Sequence, residues 1–191
     1  SGVEYELNFS KENQYYIEIE NISKSSDYEL NIYHENNHYQ SKNILQRSPP
    51  IGDVKQGQRK SLNNDEIEIV TSFKDIENDD NYYLFEFGKG NLQPADDIYI
   101  EGNNFTFSYF INKNKIQNNE LEIKMEGIDF QYFKFIIQVI IQTNTQNGPF
   151  AAPPTSIKGN IYCVNNDSLN PFGYFNVSEY DTFTLKDINV N

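Results

Sequence analysis

The feature that most constrains this chain is a period-two alternation of aromatic and β-branched residues, repeated along most of its length. In Phe105-Thr106-Phe107-Ser108-Tyr109-Phe110-Ile111, the side chains of Phe105, Phe107, Tyr109 and Ile111 share one face of an extended segment, because successive side chains point to opposite sides of a strand. Residues 15–22 put Tyr15, Ile17 and Ile19 on one face, and residues 28–33, 66–73, 82–87, 98–100 and 120–125 are similarly β-rich. Runs of this kind, separated by Asn-, Asp- and Gly-bearing turns, read as the strands of a sandwich. The 191 residues include 14 Phe and 14 Tyr but no Trp. Disordered chains are poor in aromatics, so the mean hydropathy of −0.70 describes a polar surface around a buried core.

One segment departs from the alternation. Over residues 129–143, Asp129 can cap a helix, and Phe130, Phe133, Ile137, Ile140 and Ile141 fall at helical spacing, so a single helix is expected there. Gly148-Pro149 and Pro153-Pro154 end it, and closing strands are expected over 157–164, 172–177 and 182–185. Upstream, residues 28–33 and 38–40 flank Asn36-Asn37, a hairpin turning on two asparagines. Ser48-Pro49-Pro50-Ile51-Gly52 breaks the pattern, since proline donates nothing to a β-ladder. The expected organisation is therefore a β domain over 1–48, a Pro-rich linker over 49–52, and a β-sandwich with one packed helix over 53–188.

Charge and motifs exclude several function classes. With 15 Lys and Arg against 28 Asp and Glu, the net charge is −13, a field that repels phosphate backbones, so no nucleic-acid partner is expected. The longest apolar run, residues 135–141 with Gln138 inside it, is too short to span a bilayer. His34-Glu35-Asn36-Asn37-His38 spells the H-E-x-x-H of zinc proteases, but that chemistry needs both histidines on one helical face, and the flanks here alternate as strands. These are the only two histidines, so a serine or cysteine nucleophile has no other imidazole to activate it. Cys163 stands alone in Ile161-Tyr162-Cys163-Val164 and reads as a small buried thiol. The carboxylates Asp75, Glu77, Asp79, Asp80, Asp96 and Asp97 lack the spacing of a calcium loop and read as solvated turns. Gly88-Lys89-Gly90 lacks the remainder of a phosphate loop. No catalytic residue, metal or cofactor is expected, and the protein is not expected to be an enzyme. Exposed aromatics could still stack on sugar rings, with Tyr82 and Tyr99 the first candidates. The Asn-x-Ser/Thr triplets at Asn8, Asn21, Asn104, Asn166 and Asn176 are ordinary in a chain where Asn is about one residue in seven.

The segment Gly148-Pro149-Phe150-Ala151-Ala152-Pro153-Pro154-Thr155-Ser156-Ile157-Lys158-Gly159-Asn160-Ile161-Tyr162, followed by Phe172-Gly173-Tyr174-Phe175, is more distinctive. It resembles the C-terminal signature of a Bacteroidota family of unknown function, in which a helix ends in a turn like that at 147–150 and two short segments reading G-N-I-x and G-Y-F follow. Asp75 with Asn81-Tyr82-Tyr83, and Pro49-Pro50-Ile51, resemble two further family segments, so the likeness runs from about Tyr28 to about Leu185. The resemblance implies an exported lipoprotein at the outer membrane, on the cell surface or the periplasmic face, with an immunoglobulin-like N-terminal domain, of a family often encoded beside TonB-dependent outer-membrane transporters. About fifty residues precede the Pro-Pro segment, fewer than a complete sandwich needs, so the chain reads as a fragment with a partial immunoglobulin-like domain. The membrane attachment that the resemblance implies is through an N-terminal lipid anchor not present in this chain. The same kinship makes Ser168 in Asp167-Ser168-Leu169 and Thr182 in Asp181-Thr182-Phe183 candidate O-glycosylation sites. The function expected is a non-enzymatic accessory subunit that docks on a TonB-dependent transporter or similar surface complex. A stand-alone glycan- or peptide-binding module is the alternative.

Overall fold

The computed structural model describes residues 3–9, 15–20, 27–62, 65–77, 80–98, 102–144 and 157–190. Its elements run β1 (Asn8–Phe9), β2 (Tyr15–Tyr16), β3 (Asp27–His34), β4 (Asn37–Ile44), β5 (Ile51–Gln56), β6 (Glu66–Lys74), β7 (Tyr82–Phe87), β8 (Leu92–Asp96), β9 (Asn104–Asn112), β10 (Leu121–Ile128), α1 (Phe130–Asn144), β11 (Tyr162–Cys163) and β12 (Tyr180–Leu185). The chain is mostly β with one packed α-helix, as the alternation predicts. β1 and β2 pair with each other, and the remaining strands form sheets of order β12-β10-β7-β8, β5-β6-β9 and β11-β4-β3.

The first two of those larger sheets face one another. Ile67, Ile69 and Phe73 on β6 meet Tyr83, Phe85 and Phe87 on β7 and Leu121, Ile123 and Met125 on β10. Alternation explains the division: odd residues of β7 turn into this core, while Leu84 turns outward to pack with Ile128, Phe135 and Ile136. The helix thus covers one half of the outer face, making a third layer. Aromatic pairs lock the core, with Phe87 stacked on Tyr109 at 4.3 Å and Phe85 edge-on to Phe107 at 5.0 Å, geometries favoured by the ring quadrupoles.

Asp129 caps the helix as expected: its Oδ1 accepts from the Tyr132 N–H at 2.7 Å, satisfying one of the free donors of the first turn. The buried stripe is rotated from the expected one. Phe135 and Ile136 are buried, flanked by Tyr132 and Val139 and by Phe133 and Ile140 of the expected stripe, whereas Phe130 and Ile141 are each 47% exposed. Apolar residues surround most of this helix, so spacing alone does not select a face.

Three further differences concern the connections. The hairpin turns on Glu35 and Asn36, with φ of 46° and 64°, and Asn37 already opens β4 opposite His34. Two consecutive positive φ values make the type I′ turn whose twist matches the flanking strands. Ile51, expected in a linker, is buried and opens β5. The preceding residues are tied to the C-terminal segment: the Gln46 N–H donates to the Val177 carbonyl and the Glu179 N–H to that of Gln46, both at 2.8 Å. Finally, 157–164 contracts to the two-residue β11, and 172–177 forms no strand. There, side chains replace a ladder: Asn160 bonds both the N–H and the carbonyl of Phe175, at 2.7 and 2.8 Å.

Candidate functional site

The sheet β11-β4-β3 presents an open edge and a largely exposed β3. The two-residue turn makes His34 and Asn37 a hydrogen-bonded pair, and the pairs alternate from there. Residues 30, 32 and 34 therefore bond β4, while the N–H and carbonyl groups of Glu29, Asn31 and Tyr33 point away from it. Among the described residues no strand pairs with that edge. Ile32 and Tyr33 beside it are 38% and 76% exposed.

One face of this sheet carries a connected polar array. The Asn31 amide donates to Glu29 at 3.0 Å and the Gln40 amide to Glu29 at 2.8 Å. Lys42 pairs with Glu29 at 3.1 Å, and these donors, Asn31 first, hold its carboxyl below the usual glutamate value. The Tyr162 hydroxyl donates to Gln40 at 2.6 Å, His38 Nε2 lies 2.7 Å from Asn31 Oδ1, and Tyr33 stacks on His38 at 4.6 Å. Cross-strand pairing puts Tyr33 with His38 on this face and His34 with Asn37 on the other. The two histidines of the H-E-x-x-H string therefore face opposite ways on a hairpin. Among the described residues no three His, Cys, Asp or Glu side chains gather as metal ligands.

The sheet is anchored by the distinctive C-terminal segments. Asn43 on β4 donates to Asp129 Oδ2 and to the Phe175 carbonyl, each at 3.0 Å. Tyr174 donates to Asp129 Oδ1 at 2.7 Å and stacks on Tyr132 at 4.5 Å; burial first, then this carboxylate, raises its pKa. The segments of Gly159 and Gly173 cross in backbone contact: a Cβ on Gly159 would stand 1.5 Å from the Gly173 carbonyl oxygen. The G-N-I and G-Y-F segments are thus a crossing that joins hairpin, helix cap and C-terminal strand. Asn43, Asp129 and Asn160 bind this crossing together, and no local pattern in the sequence marks Asn43 or Asn160 for that role.

Two carboxylate sites are structural. Glu68 on the outer face of β6 is 3% exposed. It accepts from Ser108 Oγ at 2.6 Å, from the Arg59 N–H at 2.8 Å and from Arg59 Nε at 2.6 Å, and the Arg59 guanidinium also bonds Ser108. Ser108 first, then Arg59, lowers its pKa to about 2. Asp75 and Asp97, expected in solvated turns, are buried. Asp75 accepts from the Tyr83 hydroxyl at 2.6 Å and the Gly102 N–H at 2.8 Å, and Asp97 from the Asn81 N–H at 2.7 Å. Burial, aided by the charge of Asp75, raises the pKa of Asp97.

The sequence candidates are dispersed. Tyr82 is half-buried, its ring against Phe130 at 5.2 Å and Phe133 at 5.1 Å. Tyr99 and the turn at 147–150 lie outside the described residues. Ser168 is exposed in a loop, its N–H bonded to Asn166 Oδ1 at 3.1 Å. Thr182 is exposed on β12. Cys163 is buried, 3.3 Å from Asn165 Oδ1.

Fold and site together define an aromatic-cored β-sandwich with one packed helix and an open-edged hairpin sheet. The chain belongs to the family described as a domain of unknown function, DUF4249, whose model matches residues 1–184. That single match spans both sides of the Pro49-Pro50 segment. No curated protein matches the chain, and no solved structure does.

Proposed function

We propose that the protein is a non-enzymatic accessory lipoprotein that docks on a TonB-dependent outer-membrane transporter or a similar surface complex in a member of the Bacteroidota. The observation that carries this reading is the outward edge of β3, where Glu29, Asn31 and Tyr33 offer backbone groups beside exposed Ile32 and Tyr33. An unpaired edge accepts an extended segment of a partner through main-chain hydrogen bonds, and adjacent side chains set specificity. The edge is held on a fixed base by Asn43 and Asp129, which lowers the ordering cost of docking. The acidic surface favours a partner with a basic rim. A lipid anchor would hold the protein at the outer membrane, and Ser168 and Thr182 are exposed enough to carry O-linked sugars. Purification of the native protein from host membranes in mild detergent, with mass spectrometry of what accompanies it, tests the proposal. A stoichiometric outer-membrane barrel is expected; a protein that elutes alone overturns it.

A stand-alone glycan- or peptide-binding module is the second reading. The Tyr33–His38 stack beside the Asn31 and Gln40 amides favours it, since sugars are held by aromatic faces and planar polar groups. Tyrosine fluorescence should then change on adding a suitable oligosaccharide, and a broad screen with no binding argues against it.

A further inference from the structure

The outer edge of β9 is also open, and its chemistry differs from that of β3. At one end the Lys113 N–H donates to the Asp65 carbonyl at 2.8 Å, and at the other the Asp75 N–H donates to the Asn103 carbonyl at 3.0 Å. These pairs continue the β6–β9 register, which runs from Glu66 opposite Asn112 to Lys74 opposite Asn104, by one step at each end. Because hydrogen-bonded pairs alternate, the odd residues from Phe105 to Ile111 bond β6. The N–H and carbonyl groups of Thr106, Ser108 and Phe110 therefore point outward, and among the described residues no strand meets them.

Some other edges are blunted: β8 carries Pro94 at its middle, β5 is interrupted by a bulge between Ile51 and Val54, and the open edge of β3 carries the charges of Asp27 and Glu29. By contrast, Asn-Phe-Thr-Phe-Ser-Tyr-Phe-Ile-Asn of β9 has no charge over nine residues, the composition that natural edges ordinarily avoid. The core is also incomplete here. Ile69 and Thr71 on the neighbouring strand are 0% exposed, yet Phe105, Phe107 and Tyr109 are only partly buried.

The segment complements itself. Placed antiparallel to its own copy about Ser108, it sets Asn104 against Asn112, Phe105 against Ile111, Thr106 against Phe110, and Phe107 against Tyr109. A two-fold axis through a hydrogen-bonded Ser108–Ser108 pair agrees with the outward direction of its backbone groups. The core-facing residues Phe105, Phe107 and Tyr109 then fall on non-hydrogen-bonded pairs, where side chains approach most closely. Such self-complementarity is what an isologous interface requires. We propose that β9 pairs with β9 of a second copy of this chain, joining two sandwiches through one continuous sheet and extending the aromatic core across the axis.

The net charge of −13 opposes approach of two copies at long range, and this repulsion is screened beyond about 8 Å at physiological salt. Dimerisation should therefore strengthen as salt is raised, because the repulsion is screened over shorter distances. Light scattering and sedimentation across a concentration series test the proposal. Wild type should reach twice the 22.3 kDa chain mass, with slowed hydrogen exchange at the Thr106, Ser108 and Phe110 amides. Thr106→Pro removes one outward N–H, and Thr106→Glu adds to each copy, beside the axis, a charge of the sign the chain already carries. Both should be monomeric with wild-type circular dichroism, and the glutamate variant keeps the test valid if the proline variant misfolds. A monomer at every concentration, or a dimer that survives both substitutions, overturns the proposal. Slow exchange at the β9 edge only in a complex with another protein also overturns it, in favour of a partner's strand.

Discussion

Asp129 joins three parts of the molecule through one carboxylate. It caps α1 through Tyr132, accepts from the Tyr174 hydroxyl and accepts from the Asn43 amide of β4. Asp129→Ala should lower the unfolding free energy by about 2–4 kcal/mol, the scale of a lost cap with lost charge-assisted bonds, as read by urea denaturation; Asp129→Asn, which keeps an acceptor at the cap, should lose less. Gly159 is constrained differently. Its Cβ would overlap the Gly173 carbonyl at 1.5 Å, so Gly159→Ala must move the backbone crossing and should cost about 3 kcal/mol or more. A melting temperature unchanged by that substitution would refute the crossing. Glu68 makes a pH prediction with a definite sign. Its folded pKa of about 2 lies below the ordinary 4.5, so its stabilisation is full above the ordinary value and is lost as pH falls toward 2. The stability gap between wild type and Glu68→Gln should be flat above about pH 5 and close below it.

At the scale of elements, legibility followed locality. The alternation of β9 and the cap at Asp129 are encoded within a few residues, and both are present in the structure. The rotation of the helix face is not local: Tyr132 and Phe135 are drawn inward by Tyr174 and Phe172, which lie about forty residues further along. Residues 172–177 alternate like a strand but have their backbone bonded by Asn160 and Asn43, a contact that hydrophobic periodicity does not register. The open hairpin edge was legible only in part. Residues 28–40 read as a hairpin, but which strand stays unpaired depends on β11, which docks on β4 across more than a hundred residues. Tyr174→Phe offers a check on this element. It keeps the stack on Tyr132 but removes the bond to Asp129, so it should cost about 1–2 kcal/mol while leaving far-ultraviolet circular dichroism unchanged.

Across the described residues, an aromatic core supports two edges of opposite character: β3, which carries Asp27 and Glu29, and the uncharged β9. The proposed function assigns the first to a transporter partner. Hydrogen exchange of the native complex against the same protein after removal of its partner tests that assignment most directly. The amides of Glu29, Asn31 and Tyr33 should be protected in the complex and should lose that protection when the partner is removed. Unchanged exchange at those three amides would contradict it.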